Sequence, residues 1–145
     1  MRWDKEAESD LRKYPGLLNA VKNLRERIEY LEASSGSLRG AVCDDVPIHG
    51  GGTTFEDRIL NNLVERERKR MLLSANEQLI AAIERGLSVL TEDEKTILEG
   101  FYFYPSRKAA ERLADQIPCD RATVYRIRDR ALYQFTVNMY GLMDL

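Results

Sequence analysis

Two cysteines and one histidine in 145 residues leave little material for a metal site. Cys43 and Cys119 stand far apart with no CxxC pair, so they read as reduced thiols and not as a disulfide framework or zinc ligand set. His49 has Cys43, Asp44 and Asp45 near it in sequence, but at no spacing that a metal site uses. No apolar run approaches the roughly 20 residues that span a bilayer, and the opening "MRWDKEAESD" is too polar and acidic for a signal peptide. Glycine and proline are sparse outside two places, which argues against a sandwich or a barrel. A nucleophile elbow, G-x-S-x-G, is missing, and so is a phosphate-binding G-x-x-x-x-G-K-[ST] loop. These absences give no catalytic residues, no metal and no cofactor, and the expectation is a protein that is not an enzyme.

One string runs against that expectation. "PIHGGGTTFEDR", residues 47–58, sets three glycines behind the single histidine. His-Gly-Gly-Gly lines the oxyanion hole of some esterases, but the remaining parts of such a site are missing here. Past the glycines the chain reads as a helix start: Thr53 and Glu56 have capping-box spacing, Thr54 is a second candidate cap, and Asp57 adds negative charge to the first turn. The stretch is therefore read as a hinge between helices.

What is present is charge and helical periodicity. Charged residues make up 32% and hydrophobic ones 43% of the chain, the balance of a soluble all-α protein. Residues 1–35 read as helix, interrupted around Tyr14-Pro15-Gly16, with Leu17, Val21, Leu24, Ile28 and Leu31 on an a/d seam. That seam fits either packing within its own domain or a homodimer. Residues 34–53 carry no period and read as a loop. A second long helix begins near Thr53 or Thr54 with a stripe at Ile59, Leu60, Leu63 and Val64. The stripe resumes at Leu72, Ala75, Leu79, Ile83, Leu87 and Leu90. Between the two parts, Glu65–Lys69 and Glu67–Arg70 pair at helical spacing, so the run 65–70 reads as a solvated face before it reads as a phosphate-binding one. The expected domains are a helical, oligomerising region over 1–90 and a DNA-binding region over 91–145.

The second region holds the functional pattern. Thr91 and Glu94 form a capping box, a short helix passes through Ile97, Leu98, Phe101 and Tyr102, and Tyr104 to Ser106 turn. A helix over Ala109 to Gln116, a turn at Pro118-Cys119-Asp120 and a last helix capped by Asp120 have the grammar of a helix-turn-helix. Leu113, Ile117, Val124, Ile127, Ala131 and Phe135 fall inward, and Ala114 is small enough for a close crossing. Arg121, Ala122, Tyr125, Arg126 and Asp129 fall on the outer face with Arg130 beside it, where the first turns of a recognition helix enter the major groove. Arg121 and Arg126 have the reach for guanine O6 and N7. Thr123, Arg128 and Arg130 suit phosphates, as do Arg107 and Lys108 ahead of the first helix. From 105 to 135 seven Lys/Arg face four Asp/Glu, a basic patch on a chain of net charge −2.

At these residues the chain resembles a known family. "LTEDEKTILEGFYF" with "AAERLADQIPCDRATVYRIRDRAL" behind it resembles the sigma-70 region-4 segment of bacterial sigma factors, which reads the upstream promoter element. Over the whole chain, with "DLRKYP" at its start, it is similar to the RinA/ArpU-type transcriptional regulators of phages and prophages. The resemblance implies an activator of phage genes in the bacterial cytoplasm, bound to double-stranded promoter DNA and working with host RNA polymerase. Pro118 and Cys119 depart from the usual sigma-like turn, and no promoter-melting segment is present. A second reading is a phage DNA-packaging protein of the small-terminase kind, which also joins a helix-turn-helix to oligomerising helices.

Overall fold

The computed structural model describes residues 2–40 and 54–144, and it is all-α. The elements are α1 (Trp3–Gly40), α2 (Phe55–Ser88), α3 (Glu92–Leu98), a π-helical turn (Glu99–Phe103), α4 (Ala109–Gln116) and α5 (Arg121–Tyr140). Among the described residues no helix is long and apolar enough to cross a membrane. The chain divides into two compact units. One takes Met1–Leu18 with Gln78–Leu145, the other Asn19–Glu77.

Unit one is larger than the expected 91–145. It gathers the start of α1 and the end of α2 around the C-terminal helices. Ala7 and Leu11 of α1, Ile83 of α2, Leu98 of α3 and Ala131 and Phe135 of α5 share one core, each fully enclosed. Gly86 makes that approach possible. A Cβ there would lie 2.8 Å from the Phe135 ring and 3.0 Å from the Met139 Cβ. Three contacts seal the edge. Tyr140 donates its hydroxyl proton to Asp10 at 2.6 Å, Trp3 lies 5.0 Å from the Tyr140 ring, and Tyr14 donates to Glu84 at 2.9 Å. Desolvation and the neighbouring Glu84 push the Tyr14 phenol up to about 12.

Helix α1 does not break at Pro15. A helix-interior proline forfeits a hydrogen bond and crowds the carbonyl four residues back, at a cost of about 3 kcal/mol. Here Leu11, Tyr14 and Leu17 on either side all pack on the unit-one core, which holds the helix through the proline. The expected loop at 34–53 also starts too early, because residues 34–40 continue the helix. Residues 41–53, with Cys43, His49 and the glycine run, lie outside the described residues.

Unit two pairs the remainders of α1 and α2. The cross-helix links Arg25–Glu77 (2.8 Å), Glu32–Arg70 (2.6 Å) and Arg27–Glu65 (3.7 Å) set an antiparallel hairpin. Val21, Ile28 and Leu31 of the heptad seam are buried within it. The seam is thus spent inside the chain, the first of its two readings. Helix α2 starts with a capping box of Thr54 and Asp57: the Thr54 hydroxyl accepts from the Asp57 amide at 3.2 Å and the carboxylate returns to the Thr54 amide at 3.3 Å. Thr53, of the expected Thr53–Glu56 pair, lies outside the described residues. The α2 stripe differs from expectation. Leu60, Leu63 and Val64 are exposed, while Asn62 is buried and donates to the Leu31 carbonyl at 3.0 Å.

Candidate nucleic-acid interface

Unit one builds its outer face from short helices with defined ends. The Thr91 hydroxyl accepts from the Glu94 amide and the Glu94 carboxylate reaches back, a complete capping box. The π-turn then widens the helix by one residue, with the Tyr104 amide bonded to the Glu99 carbonyl at 3.2 Å. It brings Gly100 against Leu113 of α4, where a Cβ would sit 2.8 Å from the leucine methyl. Arg112 donates from α4 to the Gly100 carbonyl at 3.3 Å. Ile97, Ala110, Leu113 and Val124 close a second core beneath the helix pair, with Ala114, Ile117, Cys119 and Ile127 around it.

The turn between α4 and α5 is fixed from both ends. Ile117 leaves the helix in an extended conformation, and the Cys119 amide returns to the Ala114 carbonyl at 3.4 Å. Asp120 then accepts from the Thr123 amide at 2.7 Å. Hydrogen bonds from the Thr123 side chain and amide hold the Asp120 carboxyl below its usual value. Gly141, at φ 69°, ends α5 in the left-handed conformation.

No family model, curated protein or solved structure matches this chain. The surface is therefore read from its own geometry.

On the leading turns of α5, Arg121, Ala122, Tyr125 and Arg126 are exposed together, and Arg130 is exposed one turn further on. Arg126 has no ion-pair partner within 4 Å among the described residues, and Arg121 has only a 3.8 Å contact to Glu111 between two exposed groups. Such a contact holds the side chain weakly. Arg107 and Lys108 are exposed just ahead of α4. All seven of these residues are exposed.

Two expected phosphate ligands are differently employed. Thr123 is half-buried and bonded into the Asp120 cap. Arg128 is half-buried, with Nε and Nη2 on Asp129 at 3.1 and 2.9 Å. Its guanidinium lies 5.2 Å from the Phe101 ring and 5.1 Å from the Tyr125 ring. Arg128 therefore braces Tyr125, whose ring also lies 5.8 Å from Phe101. Phe101 was missed as the platform under this aromatic and cationic stack. Its signal was the aromatic run 101–104, "FYFY".

Proposed function

We propose that the chain is a sequence-specific double-stranded-DNA-binding regulator of transcription, with the first turns of α5 entering the major groove. The observation that carries this reading is the joint exposure of Arg121, Ala122, Tyr125 and Arg126 on a capped helix that α4 supports from behind. Arg126 keeps its five donors unspent by any protein partner among the described residues, which is what bidentate contact to guanine requires. Arg107, Lys108 and Arg130 are exposed as well and would supply phosphate contacts. Arg128 and Thr123 act indirectly, by fixing Tyr125 and the start of α5. The resemblance to RinA/ArpU-type regulators supports an activator of phage or prophage genes that recruits host RNA polymerase.

The test is a selection from random duplex DNA, then titration of the selected site and of unrelated duplex. Arg126→Ala is expected to cost about 1–3 kcal/mol on the selected site and to relax base preference at one position. Lys108→Ala is expected to weaken both duplexes alike and to lower the salt dependence by about one counterion. Equal loss on both duplexes for Arg126→Ala overturns the base-reading role, and failure to select any sequence overturns the function.

A further inference from the structure

In unit two, part of α2 departs from the usual distribution of side chains on a helix. The side of α2 that meets α1 carries Asn62 and, one turn later, Arg66. Asn62 Oδ1 and Arg66 Nε are both buried with no hydrogen-bond partner. The other side carries Leu60, Val64 and Met71 on one heptad-spaced line, flanked by Leu63 and Leu72. All five are exposed, from 40% at Val64 to 73% at Met71. Polar groups are enclosed where apolar ones would pack, and apolar groups face outward where polar ones would be hydrated.

The hairpin is also short of core. Its best-buried apolar side chains, Leu31, Val21 and Ile28, keep 5%, 6% and 7% of their surface, whereas unit one encloses Leu11, Ile83, Phe135 and others completely. Two helices offer each other one face only. A helical bundle closes when a second pair covers the remaining face.

We propose that the α2 stripe at Leu60, Leu63, Val64, Met71 and Leu72 is covered by the same stripe of a second copy, two hairpins making one four-helix bundle. The size fits. Five half-exposed side chains present on the order of 500 Å² of apolar surface per copy, above a scattered background and near the ~800 Å² per partner of a standard interface once flanking residues join. The flanks fit as well. Glu56, Asp57 and Glu67 border the stripe together with Arg68, all exposed, so both signs of charge face a second copy. A strongly acidic or basic partner would call for flanks of one sign. A self-complementary patch on a single chain closes by two-fold symmetry. The stripe lies wholly within residues 19–77, so its pairing is independent of the DNA reading.

Sedimentation equilibrium of the full chain tests it. The wild type is expected at twice the 16.7 kDa chain mass at micromolar concentration. The double variant Leu60→Glu/Met71→Glu is expected as a monomer of unchanged helical circular dichroism, its dimer weaker by at least about a hundredfold. Tyr30→Glu, at an exposed position of α1, is expected to leave the dimer intact. If the double variant loses helicity, Met71→Lys at the most exposed position gives the same comparison. A wild type that stays monomeric at about 100 μM overturns the proposal, as does an assembly that helical variants of the stripe leave unchanged.

Discussion

Where residues 1–18 and 78–145 bring Leu11, Ile83, Ile97, Leu113, Val124 and Phe135 to essentially no exposure, residues 19–77 hold together through an a/d seam, one buried asparagine and a row of exposed ion pairs. Unit one is closed by apolar packing drawn from five helices and from chain positions 130 residues apart, as in the Asp10–Tyr140 bond. Unit two is a two-helix hairpin with an apolar face left outward. A closed core holds short helices at fixed angles, which suits the role proposed for α5. An open hairpin leaves the face proposed to meet a second copy.

The sharpest way to break this contrast is to empty the unit-one core. Phe135 is fully enclosed against Gly86 and Met139. Phe135→Ala should cost about 3–5 kcal/mol, because it removes a large buried ring and leaves a cavity. Chemical denaturation monitored by circular dichroism would measure it. On the proposed function the same loss should remove DNA binding, since α5 is both a core element and the proposed reading helix. A loss below about 1 kcal/mol would mean that the core collapses freely and is not rigid.

Much of unit one was legible in the sequence because its signals are local. The Thr91–Glu94 box, the α4 bounds, the Asp120 cap and the inward set from Leu113 to Phe135 all lie within a few residues of the features that cause them. The recruitment of α1 was not legible, because Ala7 and Leu11 meet Phe135 only through tertiary packing. The same packing carries α1 through Pro15, against the local rule. In unit two the strongest apolar letters misled. Leu60, Leu63 and Val64 marked a stripe, and sequence alone cannot say that the stripe faces away from α1 while Asn62 faces toward it.

A smaller effect tests whether Asn62 specifies pairing or stabilises it. Its Nδ2 bonds to the Leu31 carbonyl while its Oδ1 goes unpaired. A buried polar atom without a partner costs about 1–3 kcal/mol, more than one neutral hydrogen bond returns. Asn62→Leu is therefore expected to stabilise the protein by about 1 kcal/mol. Polar residues in such seams fix register and oligomer state. The variant should accordingly sediment as a broader mixture of species than the wild type. Stabilisation with an unchanged single species would assign Asn62 no specifying role.

The weakest expected effect concerns the ion pairs that line the hairpin. Arg25 and Glu77 meet at 2.8 Å, yet both side chains are exposed, 61% and 43%. In high dielectric the Coulomb gain is largely offset by the entropy of holding two long side chains in one geometry. Arg25→Ala should therefore change stability by no more than about 0.5 kcal/mol, and the difference should vanish as salt rises and screens the pair. Thermal melts of wild type and variant at low and high salt would measure this. A loss above about 1 kcal/mol that persists in high salt would place real stabilisation in the ion-pair row. Unit two would then be an autonomous hairpin, with less need of the apolar face at Leu60 and Met71 to complete it.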